Sequence, residues 1–115
     1  MITLDYLRAF GADVKEGMSR CLDNEGFYLR LVDMAAKDPS YELLKRSLAA
    51  GDLKTGFEAA HSLKGQLGNL GLTPLYDAAS ELTELLRNAK GDEDFGPLLT
   101  KLTEKYDELA AACEQ

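Results

Sequence analysis

Asp52-Leu53-Lys54-Thr55-Gly56-Phe57-Glu58-Ala59-Ala60-His61-Ser62-Leu63-Lys64-Gly65-Gln66-Leu67-Gly68-Asn69-Leu70 is the stretch from which the architecture follows. Leu53, Phe57, Ala60, Leu63, Leu67 and Leu70 recur at steps of three or four, the period of a helix with one apolar face. Asp52 is a residue type that caps helix starts, and Gly71 is a natural stop. The run therefore predicts a helix over about residues 52–70. His61 is the only histidine of the chain and lies on the shoulder of the apolar stripe. Lys64 and Gly65 follow three and four positions later, so both sit one turn beyond the imidazole on the same side. Gly68 carries that side a further turn.

The flanking segments repeat the helical pattern. Thr3 to about Phe10 reads as a short first helix ended by Gly11. Asp13, with Glu16 three residues on, has the form of a capping box, and Val14, Met18, Cys21 and Leu22 make the stripe behind it. Asn24 caps a segment whose expected inner face is Phe27, Leu31, Met34 and Ala35. Asp38-Pro39 pairs a cap with proline at the first helical position, and Tyr41, Leu44 and Leu48 follow before Gly51. Thr73-Pro74 reads as another cap and proline, opening a stripe of Leu75, Ala78, Ala79, Leu82 and Leu86 that ends near Lys90-Gly91. Asp92 to Asp94 are expected to cap the last helix, with Pro97 in its first turn. Leu98, Leu102, Tyr106 and Leu109 are expected to face inward. β-branched residues are scarce and no segment alternates cleanly, so strands are not expected.

Few residues separate the helices over 52–70 and 74–90, and so short a link makes antiparallel neighbours. The expected fold class is all-α: an antiparallel up-down four-helix bundle with a short additional N-terminal helix. At 115 residues the length suits one domain, residues 1–115.

Charge narrows the function. Twenty acidic residues against 13 Lys and Arg give a formal net charge of −7. That excludes the basic footprint of a nucleic-acid binder and the polybasic patch of a membrane-surface protein. No stretch approaches the roughly 18 apolar residues of a spanning helix. Met1-Ile2-Thr3-Leu4-Asp5 has neither the basic region nor the apolar run of a signal peptide, so a cytoplasmic location is expected. Cys21 and Cys113 lack metal or redox spacing and read as buried thiols. A single histidine is a poor start for a zinc or di-iron site, which draws on several ligands. Neither a bound metal nor a cofactor is expected.

The residues around His61 suit a different chemistry. Phosphoryl transfer needs positioning and charge stabilisation more than covalent help from the protein. An imidazole is in part neutral near pH 7 and can attack phosphorus. Lys64 is placed to meet the new anionic oxygens. Glycine inside a helix costs about 0.8–1 kcal/mol relative to alanine. Two of them beside the imidazole call for a compensating role, either close approach by a partner or tight packing within the bundle.

The run Ala60-His61-Ser62-Leu63-Lys64-Gly65, followed by Gly68-Asn69-Leu70-Gly71, resembles the signature of histidine-containing phosphotransfer (HPt) domains. The resemblance implies a stand-alone phosphocarrier without kinase activity of its own. His61 would accept a phosphoryl group through Nε2 from a receiver aspartate and pass it to another. Lys64 would stabilise the phosphoryl group, and Gly65 and Gly68 would admit the partner. The implied partners are receiver (response-regulator) domains and a hybrid sensor kinase, with the carrier a monomer. HPt domains often carry Gln or Glu opposite the histidine. Reflecting the hairpin about residue 72 puts Thr83 there, as a candidate to orient the imidazole. The alternative reading is a bundle that docks receivers or other signalling partners without being phosphorylated.

Overall fold

The computed structural model describes residues 1–115 as seven α-helices and no strand: α1 (Leu4–Phe10), α2 (Val14–Arg20), α3 (Glu25–Ala35), α4 (Pro39–Ala50), α5 (Leu53–Asn69), α6 (Thr73–Arg87) and α7 (Gly96–Cys113). The all-α expectation is borne out, with three helices rather than one short one preceding the last four. Local chemistry explains most boundaries. The side chains of Thr3, Asp13, Asn24, Asp38 and Asp52 each accept a backbone N–H from the first turn that follows. Such a cap contributes about 0.5–2 kcal/mol. Gly11 and Gly51 close α1 and α4 in the left-handed conformation.

Two expected caps are not formed. α6 already includes Thr73, and its cap position is the fully buried Leu72. The Thr73 hydroxyl donates back to the Gly71 carbonyl at 3.3 Å instead. Burial of Leu72 draws the chain into the helix one residue early. At α7 the cap position is Phe95, without a side-chain hydrogen bond. The acidic residues before it organise the loop: Glu93 accepts N–H groups from Lys90 and Gly91, and Asp94 accepts from Gly96 at 2.9 Å. The capping box at Asp13 is half formed. Asp13 accepts the Glu16 N–H at 3.1 Å, but the Glu16 carboxylate pairs with Arg20 at 3.0 Å. The Asp13 N–H goes to the Gly71 carbonyl at 2.7 Å.

α5 is the centre of the fold. It packs against α4 on one side and α6 on the other, and α6 packs on α7. The Tyr41 and Tyr106 rings, stacked at 4.3 Å, bring α4 and α7 together. Leu44, Leu63, Leu67, Leu75, Leu82, Leu102 and Leu109 are fully buried inside this group. Each contributes roughly 1.5–3 kcal/mol relative to exposure. Burial along α5 takes in Ala60, Leu63, Leu67 and Leu70, while Leu53 and Phe57 are half-buried at its N-terminal end. α1 lies against α7, with Leu7 fully buried and the Tyr6 hydroxyl donating to the Glu108 carbonyl at 3.3 Å.

α3 turns a different face inward from the one its spacing suggests. Tyr28, Val32 and Ala35 are buried, whereas Phe27 and Met34 are exposed. Both sets have helical spacing. The choice is made by Tyr28, whose hydroxyl donates to the Leu70 carbonyl at 2.8 Å. Burial, reinforced by Cys21 and Asp13, pushes that hydroxyl up to about 12, so it stays a donor well beyond neutral pH. Cys21 is buried as expected, but Cys113 is only half-buried because α7 ends there.

α2 is clamped onto the corner between α5 and α6. Gly71 sits at φ +69°, and a Cβ on it would run into the Asp13 carbonyl; one on Gly17 would run into the Leu70 carbonyl and the Tyr28 ring. Arg20 adds hydrogen bonds to the Asn69 side chain at 3.1 Å and the Gly68 carbonyl at 3.4 Å. Just beyond α2, Leu22 and Asp23 both adopt left-handed backbone, φ +59° and +54°. That conformation costs L-residues roughly 1–2 kcal/mol each. Leu22, expected in the apolar stripe of α2, is 88% exposed, so no burial offsets its cost.

Candidate functional site

The exposed side of α5 carries the residues singled out by spacing. The His61 imidazole is exposed and stacks on Phe57, one turn earlier, with ring centroids 5.8 Å apart and planes 12° from parallel. Helical side chains lean toward the N-terminus, which brings residues i and i−4 together. Phe57 is itself covered by the Arg87 guanidinium, 5.1 Å from its centroid. The ring of His61 is therefore set by stacking. Thr83 does not supply that orientation: it is fully buried and its hydroxyl donates to the Ala79 carbonyl at 2.6 Å. The reflection about residue 72 gave its height on α6, but its side chain turns into the core.

Lys64 is half-buried on the same face. None of the seven ion pairs of the chain involves it. Its ammonium is therefore not neutralised by a neighbouring carboxylate. His61, Lys64 and Gly65 share a polar cleft of about 450 Å³ with Tyr76 of α6 and with Glu16 and Arg20 of α2.

The two glycines have different surroundings. A Cβ on Gly65 would meet nothing within 4 Å, so internal packing does not require glycine there. A Cβ on Gly68 would lie 3.1 Å from two carbons of the Tyr76 ring. Gly68 is a packing position beneath that tyrosine, and the partner-access role expected of it is left to Gly65. Gly65→Ala is expected to stabilise the free protein by about 0.8–1 kcal/mol through helix propensity. Its thermal midpoint should rise by a few degrees, and a fall would show packing demands on Gly65.

Some site residues were missed in the sequence. Phe57 was legible, since it stands four positions before His61. Tyr76 was also within reach, because the reflection that chose Thr83 places it opposite Gly68. Glu16 and Arg20 carried no local signal, because α2 reaches the cleft only through tertiary docking. Glu58 stands three residues before His61, a Glu-x-x-His spacing used by helical metal sites. No third His, Cys, Asp or Glu joins them in a group able to hold a metal ion. No helix is long and apolar enough to cross a membrane.

No curated protein and no solved structure is matched by the chain. Residues 38–112, running from the cap of α4 through all but the last residue of α7, match the family model of the Hpt domain. Domains of this family are helical bundles that carry phosphoryl groups on histidine in two-component phosphorelays, where they interact with receiver domains and histidine kinases. The match covers well over half of the chain and encloses the helix bearing its only histidine, so the chain belongs to the Hpt domain family.

Proposed function

We propose that residues 1–115 act as one phosphocarrier unit in which His61 takes a phosphoryl group from a receiver aspartate and delivers it to a second receiver. The observation that carries this reading is the exposed imidazole of His61 beside an unpaired ammonium and an open glycine floor. Nε2 attacks the phosphorus of the aspartyl phosphate. The P–N bond forms as the acyl P–O bond breaks, and the aspartate leaves as a carboxylate. In the return step a second aspartate attacks phosphorus, the P–N bond breaks, and the imidazole recovers its electron pair.

Lys64 stabilises the phosphoryl oxygens through charge-assisted hydrogen bonds. Gly65 leaves room for the partner backbone. Any magnesium sits among the receiver's own carboxylates. The phosphoryl group arrives from a receiver charged by a hybrid sensor kinase, so the carrier needs no kinase activity. It works as a monomer in the cytoplasm, where those receivers act.

The direct test is incubation with phosphorylated receiver domains from the same genome, followed by assay for acid-labile, alkali-stable phosphate. Labelling supports the carrier. Receiver binding without labelling favours a docking module. Lys64→Ala is expected to slow transfer about tenfold, equivalent to about 1.4 kcal/mol of barrier, with the thermal midpoint unchanged. Unaltered transfer kinetics would reduce Lys64 to a surface charge.

A further inference from the structure

We propose that Phe57 and Arg87 are positioning residues for phosphoryl transfer: a ring stack, braced from α6, holds the His61 imidazole in line for attack. This rests on the phosphorelay reading above and adds the device that orients its nucleophile. The contacts run across two helices. His61 stacks on Phe57 at 5.8 Å with the ring planes 12° apart. The Arg87 guanidinium lies over the Phe57 ring at 5.1 Å, and Arg87 Nε is itself held by the Glu84 carboxylate at 3.4 Å. The turn between α5 and α6 explains the meeting: reflection about residue 72 puts Arg87 opposite Phe57, as it puts Thr83 opposite His61.

No hydrogen bond orients the ring. Thr83 bonds to Ala79 in the core, and none of the side-chain hydrogen bonds of the chain engages either imidazole nitrogen. An unsupported imidazole turns over a wide range about its last torsion, because rotation between a tetrahedral and a planar carbon has broad minima. A phosphoryl group delivered by a folded partner arrives in one place, and displacement at phosphorus needs the nucleophile in line with the leaving oxygen. The stack fixes the plane of the ring. It also leaves both nitrogens open, Nε2 to attack and Nδ1 to exchange its proton with water.

Arg87 has the surroundings of a brace rather than of a phosphate binder. It does not line the cleft that holds His61 and Lys64. With Phe57, Leu53 and Leu86 it lines a separate hollow at the N-terminal end of α5. Glu84 neutralises its charge, whereas Lys64 has no carboxylate partner. A planar guanidinium stacks well on an aromatic face. Tethered by Glu84, it limits the tilt of a half-buried Phe57 ring and, through that ring, of the imidazole. Removing either residue therefore changes the rate within the carrier–receiver complex, not the strength of docking.

The test separates orientation from docking and folding. Phe57→Leu, Phe57→Tyr, Arg87→Gln and the double variant of Phe57→Leu with Arg87→Gln are melted. Each is then assayed for transfer from phosphorylated receiver domains of the same genome over a range of receiver concentrations. The expected maximal rate of Phe57→Leu is about fivefold lower, about 1 kcal/mol, at an unchanged half-saturating receiver concentration. Phe57→Tyr, which keeps a ring face, restores the rate. Arg87→Gln loses about twofold, and the double variant is no slower than Phe57→Leu, because Arg87 acts through the ring. A wild-type maximal rate in Phe57→Leu would overturn the proposal and leave the phosphocarrier reading intact. So would a raised half-saturating concentration, which makes these residues receiver contacts, or an Arg87 effect that persists in full without the ring. A Phe57→Tyr variant as slow as Phe57→Leu would also overturn it, tying the loss to bulk rather than to stacking. If Phe57→Leu does not fold, Arg87→Gln decides: a lower maximal rate at unchanged half-saturation supports the brace, and a wild-type rate overturns it. Wild type labelled by no receiver would overturn both readings.

Discussion

His61→Gln is expected to abolish phosphorylation, lowering receiver-dependent labelling by at least about 1,000-fold, the scale on which removal of a nucleophile acts. The chain offers no second imidazole to take over. The fold should survive, because the ring is exposed and its main contact is the stack on Phe57. Such a stack contributes about 0.5–1.5 kcal/mol, within the tolerance of a bundle whose core leucines are untouched. Acid-labile phosphate after incubation with a charged receiver is the measurement, paired with a thermal melt. A mutant labelled at the wild-type level would move the acceptor to another residue.

Gly71→Ala should have the largest effect on stability, about 3–5 kcal/mol. Three costs coincide. Its φ of +69° is strained for any side chain. A Cβ there collides with the Asp13 carbonyl. Relieving the collision separates the Asp13 N–H from the Gly71 carbonyl, now 2.7 Å apart, and loosens α2 from its seat. Small proteins unfold in urea with slopes of about 1–3 kcal/mol per molar, so the midpoint should fall by more than about 1 M. A midpoint close to wild type would show that α2 is not clamped at this corner.

These two positions differ in how far the sequence revealed them. His61, Lys64 and Gly65 were legible together because one helix with a clear apolar stripe fixes which residues share a face. The same local arithmetic found the caps at Asp13, Asn24, Asp38 and Asp52. It failed where tertiary contacts choose between equivalent local options. α3 has two overlapping stripes, and the hydrogen bond from Tyr28 to Leu70 selects the one that was not expected. Thr73 has the sequence of a cap, but burial of Leu72 starts the helix before it. Thr83 lies at the expected height, yet the direction of a side chain around α6 depends on packing that reflection about a turn does not contain. The α2 wall of the cleft was invisible for the same reason: Gly17 and Gly71 look like ordinary helix and turn glycines until their backbones are seen in contact.

The stack of His61 on Phe57 has a consequence for observing the protein. A proton on the imidazole lies in the ring current of the phenyl group beneath it. With a single histidine in the chain, the imidazole Cε1–H gives one magnetic-resonance line, displaced by that ring current. A phosphoryl group added to the ring shifts the line again. The ratio of the two signals then measures the phosphorylated fraction directly, without isotopic enrichment of selected residues or an engineered probe.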